Sequence, residues 1–371
     1  MEQSPWYQID NLTHLDTPAL AVYPDRVKAN IAALLRAIGD VSRLRPHVKT
    51  NKSREASQLL LEAGIRKFKC ATIAEAEMLA MIGAPDVLLA YQPNGTKMHR
   101  LLELITTYPN TQFSCLVDNV ATARQLSELA VTANVVIPVF IDLNVGMNRT
   151  GIAPGEAVLS LYAQLDQLPG IRPMGLHAYD GHIRNPDLAL RTKECDAAFW
   201  PVQLLSETIT SRGFDKPILV MGGSPTFPIH ARHAGVECSP GTFIYWDKGY
   251  KNGLPEQHFE PAALVVTRVI SLPTSTRICV DLGHKSVAAE NELSERVTFL
   301  NAPELKAVGQ SEEHLVLEAG EGHPYQVGDV LYGLPIHICP TVALYERAYT
   351  IENGDVTGEW QTIARDRIIS V

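Results

Sequence analysis

"KFKCATIAEAEMLAMIGAPDVLLAY", residues 67–91, is the stretch from which the fold is read. Two short apolar runs, "KFKCAT" (67–72) and "DVLLAY" (86–91), flank "AEAEMLAMIG" (74–83). The middle segment is made of small, acidic and unbranched residues, favours a helix and stops at Gly83. Strand, helix and strand follow one another within one short stretch, and the same unit recurs outward from it. Further strand candidates are "RPHVK" (45–49), "FSCLVD" (113–118), "PVFIDLN" (138–144), "PMGLHAY" (173–179), "PILVMGG" (217–223) and "VECSPG" (236–241). Between them lie amphipathic segments such as "SREASQLLLEAG", "VATARQLSELA" and "GEAVLSLYAQLDQL", with Ser53 and Asn119 as N-caps. Continuous apolar strands alternating with helices imply a parallel sheet covered on both faces. Eight such units predict a (β/α)8 TIM-like barrel, with an open doubly wound sheet as the alternative.

After about residue 250 the pattern changes. "PAALVVTRVISLP", "RICVDLGH", "RVTFL", "EEHLVLE", "GDVLYGLPIHI" and "WQTIARDRIISV" read as strands, with "ENGDV" as a tight turn. The expected division is an α/β barrel over 18–245 and a mostly antiparallel β-domain from 1–17 and 246–371. Bulk properties narrow the function. The chain has 371 residues and a net charge of −9, which disfavours nucleic acid and anionic membrane surfaces as partners. No apolar run approaches the ~18 residues of a membrane-spanning helix. "MEQSPWYQID" lacks the basic and apolar regions of a signal peptide. Cysteines 70, 115, 195, 238, 279 and 339 are scattered without a CxxC, as expected of thiols in a reducing, cytoplasmic setting.

A barrel builds its active site at the C-terminal ends of its strands, and these ends are polar here. Lys49 ends the first strand after apolar Val48. Enclosure there disfavours the charged ammonium, as an imine-forming amine requires; the plain alternative is a lysine reaching to solvent. "MGGSPT" (221–226) and "SPGTF" (239–243) follow the last two strands, where barrels commonly bind phosphate. Gly222, Gly223 and Gly241 let backbone N–H groups approach phosphate oxygens, and Ser224, Thr226 and Thr242 add hydroxyls; glycine also simply ends strands. No GxxxxGK[ST] occurs, which disfavours a P-loop enzyme. An enclosed lysine facing a phosphate cup suggests pyridoxal 5'-phosphate. Arg149 could then face its pyridine nitrogen, or serve a phosphate or salt bridge. His177 and Tyr179, alternate residues of one strand, share a face and could pack on the cofactor or move protons. His182 lies in the loop beyond. His337 and Cys339, in "LYGLPIHICPTV" (331–342), read as i and i+2 of a strand and could share one ion, or simply pack in a core.

"RPHVKTNK", "DLNVGMNRTGI", "GLHAYDGH", "GGSPTFPIH", "ECSPGTF", "DLGHKS" and "PIHICPTVALY" together resemble the D-threonine aldolase and D-serine dehydratase family, over nearly the whole chain. The resemblance implies fold type III pyridoxal-phosphate enzymes with an alanine-racemase-like barrel and β-domain. It implies Lys49 as the Schiff-base lysine, Arg149 and Tyr179 beside the ring, and Gly222, Gly223, Thr226, Gly241 and Thr242 around the phosphate. It also implies His337 and Cys339 as ligands of a divalent metal (zinc, manganese or magnesium) that serves the substrate hydroxyl, and a homodimer. Asn51 departs from the pattern, since the family commonly has "KTHK" there. The expected reaction is retro-aldol cleavage of a D-β-hydroxy-α-amino acid, D-threonine-like, to glycine and an aldehyde. Dehydration of D-serine, D-threonine or 3-hydroxy-D-aspartate to a 2-oxo acid and ammonia is the alternative. A non-catalytic pyridoxal-phosphate carrier and a metal-free racemase are further ones.

Overall fold

The computed structural model describes residues 5–13 and 15–371, so residues 1–4 and His14 of the segment expected in the β-domain lie outside the description. The first strand, β1 (Ala19–Val22), belongs to a β-rich sheet treated below. Then follow β2 (Lys67–Cys70), β3 (Asp86–Leu89), β4 (Gln112–Val117), β5 (Ile137–Leu143), β6 (Ile171–Ala178), β7 (Ile218–Met221) and β8 (Val236–Cys238). These seven lie in sequence order, each parallel to the next.

Residues 44–48 complete the cylinder. Leu44 bridges Cys238 of β8 and His47 bridges Lys69 of β2, both in the parallel sense. The Arg45 and His47 N–H groups donate to the Cys238 and Pro240 carbonyls at 2.9 Å, and Val48 N–H donates to Lys69 O at 3.0 Å. Pro46 has no N–H to give, so this eighth segment is bonded on both sides yet falls short of a regular strand. Its carbonyl still accepts from Lys69 N–H at 2.9 Å. Leu88, Leu116, Phe140 and Val220 fill the interior from four strands. Helices alternate with the strands as the periodicity predicts. Asn119 caps Val120–Thr132 by accepting Thr122 N–H at 2.9 Å, and Thr72 caps Ile73–Met81 through Glu75 N–H at 3.1 Å.

The second sheet has nine strands among the described residues. Its further members are β9 (Ala263–Thr274), β10 (Arg277–Val280), β11 (Val297–Phe299), β12 (Lys306–Gln310), β13 (Leu315–Glu318), β14 (Val330–Pro335), β15 (Arg347–Glu352) and β16 (Asp355–Gln361). The order is β12-β13-β10-β9-β1-β15-β16, and β14 joins β9 to β11. Every pairing is antiparallel except β1 with β15.

Two compact units result. One contains the chain up to Ala33, Thr50–Ala56 and Thr242–Arg365; the other contains Leu34–Lys49, Ser57–Gly241 and Asp366–Val371. The expected boundary at residue 18 therefore falls elsewhere. Ala19–Val22 pairs with β9 on one side and β15 on the other, and all four residues are buried. A short run buried on both faces reads alike in either kind of sheet. No described helix is long and apolar enough to cross a membrane.

One buried ion network ties the N-terminal end of the barrel together. The Arg45 guanidinium donates to both Asp86 oxygens at 2.6 and 3.0 Å and to Glu237 Oε2 at 2.7 Å. Arg45 is 1% exposed, and removing it leaves Asp86 without this partner and buried Glu237 with Lys67 alone. Arg45→Met is expected to destabilise the protein by about 3–5 kcal/mol in equilibrium urea unfolding. A loss below 1 kcal/mol would show that the network contributes little.

Candidate active site

Tyr179 is the hub of the barrel unit's polar end. It follows β6 directly and is half-buried. Arg149 lies 5.1 Å from its ring centroid, while Lys49 and Lys69 Nζ lie 5.7 Å away. A ring's negative face attracts cations at such distances, here three of them. Lys49 is held by a turn at the end of the closing segment, where its own N–H donates to His47 Nδ1 at 3.2 Å.

His177, two residues before Tyr179, is directed to different partners. Its Nδ1 lies 2.7 Å from Asp142 Oδ1 on the neighbouring strand β5, and its Nε2 lies 3.4 Å from Lys69 Nζ. Burial, then the Lys69 charge, hold its pKa below the ordinary histidine value despite Asp142. The ring is thus neutral near pH 7, with Nδ1–H donating to Asp142 and Nε2 accepting from Lys69. Burial is also the largest influence on Lys69, followed by the Lys49 charge; together they lower its pKa to about 7. Burial is the largest influence on Asp142 as well, but the hydrogen bond and charge of His177, a Thr150 hydrogen bond and the Lys69 charge together keep its pKa below the usual range.

The glycine turn after β7 lies against the same tyrosine. A Cβ on Gly223 would stand 3.1 Å from Tyr179 Cε2, a contact so tight that the ring would have to shift by a few tenths of an ångström. Gly222 has φ +79° and its Cβ would meet His230 Cδ2 at 2.8 Å. Gly223 N–H donates to Thr226 Oγ1 at 3.2 Å, and Thr226 donates to Asp180 Oδ1 at 2.8 Å. Gly241 N–H donates to Ser224 Oγ at 3.3 Å. Beneath the turn, buried Asp180, His230 and Cys195 form a cluster with ligand atoms close enough to share an ion. The His230 Nε2–Asp180 Oδ2 contact is 2.7 Å, a hydrogen-bond length, with Cys195 Sγ at 3.3 Å from the same nitrogen. Burial and then Asp180 push the Cys195 thiol far up, so it offers no thiolate. The cluster's evident work is to brace Thr226 and the glycine turn.

The other unit holds the remaining predicted residues. The strand reading of the His337/Cys339 pair is corrected: β14 ends at Pro335, and Ile338–Val342 is a one-turn helix with His337 at its N-cap. Pro340 occupies the first turn, where its missing N–H costs no helical bond. The two side chains nonetheless meet. His337 and Cys339 are hydrogen-bonded partners, and His337 Nδ1 lies 2.6 Å from Glu290 Oε1. Burial opposes both charges, but mutual attraction prevails: His337 rises to about 9 and the Cys339 thiol falls below its ordinary value. A thiolate, an imidazole and a carboxylate orienting that imidazole suit a transition-metal ion. Thr50 Oγ1 at 3.1 Å and Thr242 Oγ1 at 3.7 Å flank Cys339 Sγ. Thr242, expected on a phosphate, is thus placed beside the thiol.

His182 is exposed beside Gly146 and away from this network. Asn51 is buried and accepts Ser53 N–H at 3.1 Å, a turn-forming role. Sequence reasoning missed Lys69, Asp142, Asp180, His230 and Glu290. Asp142 had a signal, as a lone charge inside the otherwise apolar strand "IPVFIDL"; Lys69 shares "KFKC" with Lys67, and only their opposite burial tells them apart. The other three are distant in sequence from the residues they hold, and no local pattern marks them.

Comparison with known proteins covers both parts of the chain. Residues 22–248 match the family model "Alanine racemase, N-terminal domain", and residues 262–351 match "Putative serine dehydratase domain". A D-threonine aldolase from Arthrobacter sp is 29% identical, over 96% of this chain and 94% of that protein. The D-threo-3-hydroxyaspartate dehydratase of Delftia sp. (strain HT23) is 24% identical, over 95% and 99% respectively. The crystal structure of D-threonine aldolase from Filomicrobium marinum superposes with a TM-score of 0.89 at 25% identity, covering 98% of this chain and 99% of that one.

Cys339 is half-buried, whereas the other five cysteines are buried. Iodoacetamide is therefore expected to label Cys339 first in the native protein, with added zinc protecting it. Peptide mapping checks this; prior labelling of another cysteine, or no protection by zinc, would contradict the metal pair.

Proposed function

We propose that this chain, which belongs to the alanine racemase N-terminal domain family, is a pyridoxal-phosphate- and divalent-metal-dependent lyase. Its proposed reaction cleaves D-β-hydroxy-α-amino acids such as D-threonine to glycine and an aldehyde. One observation carries the reading: the Lys49 amine, the Arg149 guanidinium and the Gly223 backbone all lie against the ring of Tyr179. That combination fits a flat anionic aldehyde, with an amine to condense, an aromatic face to stack on and a glycine turn to approach a phosphate. When bound, pyridoxal phosphate supplies the electron sink for breaking a bond at Cα. A divalent metal supplies Lewis acidity toward a hydroxyl.

The chain's own residues do the rest. Lys49 would present the condensing amine and could move a proton at Cα. Tyr179 supports one face of the ring and Arg149 keeps a fixed positive charge beside it. Gly222, Gly223, Ser224, Thr226 and Gly241 form the phosphate cradle, braced by Asp180. His177, tied to Asp142, keeps its Nε2 as an acceptor and so holds rather than supplies a proton. His337 Nε2 and Cys339 Sγ would hold the metal, with Glu290 fixing the imidazole. The Arthrobacter relative supports the aldolase reading. The Delftia relative supports dehydration, with the same residues and a 2-oxo acid and ammonia as products.

The test is an assay of the purified protein with D-threonine, before and after chelation. Glycine and acetaldehyde, lost on chelation and restored by zinc, manganese or magnesium, are expected. Oxo acid and ammonia would move the assignment to the dehydratase. Turnover indifferent to the chelator would overturn the metal role, and no turnover with any D-β-hydroxy amino acid would favour a carrier.

A further inference from the structure

Thr50 has no part in the function proposed above, yet its hydroxyl lies 3.1 Å from the sulfur of Cys339. The residue is fully buried and belongs to the same compact unit as the His337/Cys339 pair. Thr242, also buried and in that unit, offers a second hydroxyl 3.7 Å from the sulfur. Other groups fix the main chain around the pair. Asp247 Oδ2 accepts Ile338 N–H at 3.0 Å, while Thr341 Oγ1 donates to His337 O at 2.9 Å and accepts Ala288 N–H at 3.2 Å. Glu290 holds the imidazole at 2.6 Å. None of these bonds involves the sulfur, whose direction still depends on rotation about the Cys339 Cα–Cβ bond.

We propose that Thr50 is a positioning residue for the metal ligand Cys339: its hydroxyl donates to Sγ, sets the direction of the sulfur and shares its negative charge when an ion is held. A sulfur that ligates a metal does so as a thiolate, which has no proton to give, so the hydroxyl is the donor of this pair. A hydrogen bond to a charged acceptor is stronger than one between neutral groups. With two protein ligands proposed for the ion, any freedom of the thiolate is felt directly in affinity. The hydrogen bond also draws electron density from the sulfur lone pairs and makes the thiolate a weaker donor toward the ion. Threonine suits the task, because its branched side chain is confined to few rotamers and its burial keeps the hydroxyl from turning to water. The inference rests on the metal reading above.

The experiment is a titration of the chelator-treated full-length protein with cobalt(II) and with zinc. Wild type is compared with Thr50→Val, which keeps the shape and removes the hydroxyl, and with Thr50→Ser, which keeps the hydroxyl. Cobalt held by a thiolate shows a sulfur-to-metal charge-transfer band in the near ultraviolet, read as the difference between the cobalt and zinc proteins. Its energy reports how firmly the sulfur holds its electrons. Thr50→Val is expected to move the band to longer wavelength and to weaken zinc binding about tenfold against a competing chelator. Thr50→Ser is expected to keep the wild-type band and affinity. A Thr50→Val protein with the wild-type band would overturn the proposal, even with weaker binding, because packing alone would then explain the loss. So would a Thr50→Ser protein that behaves like Thr50→Val. Should Thr50→Val fail to fold, Thr50→Ala removes the same hydroxyl and its band decides. Absence of a charge-transfer band in wild type is a separate outcome, and overturns Cys339 as a ligand together with the inference built on it.

Discussion

Burying positive charge at the polar end of a parallel barrel is the constraint on which this site depends. Lys49, Lys69 and Arg149 gather at one tyrosine ring, and Lys69 sits almost wholly out of water. Desolvation penalises such charges unless partners or proton loss relieve them. The barrel answers in both ways. Asp142 neutralises part of the charge through a histidine held neutral, and Lys69 itself sheds its proton near neutrality. An amine that cannot afford its charge is a chemical resource. The remaining positive charge suits an anionic aldehyde.

The glycine turn shows the same economy in backbone terms. Gly222 brings main chain against His230 where a side chain would collide, and Gly223 brings it close against Tyr179. Such a turn is stiff only if something beneath it is stiff, and buried Asp180 fulfils that role through Thr226 and His230. In the other unit His337 and Cys339 each favour the other's charged form, raising the imidazole and lowering the thiol against the opposing effect of burial. Glu290 adds the carboxylate that commonly orients a metal-bound imidazole.

Much of this was legible in the sequence because period and punctuation carry it. The βα alternation marked the barrel, Asn119 capped the helix it was expected to cap, and the glycine turns fell after β7 and β8 as read. Lys49 and Arg149 lie within 5.7 Å of the Tyr179 ring centroid. Legibility failed where tertiary context decides. "ALAV" at 19–22 is equally suited to either sheet, and pairing alone assigned it to the β-rich one. "HICP" reads as extended because proline follows, but proline is also at home in a helix's first turn. Lys69 was not marked out in "KFKC", which also holds Lys67; its burial follows from β2 adjoining the segment that ends in Lys49.

The assignment of Lys49 as the condensing amine is central, and two lysines beside one ring make it open to direct test. The measurement is borohydride reduction of the protein loaded with pyridoxal phosphate, followed by mass-spectrometric peptide mapping. A single pyridoxyl group on Lys49, with Lys69 unmodified, is the expected result. A pyridoxyl group on Lys69, or on neither lysine, would contradict it.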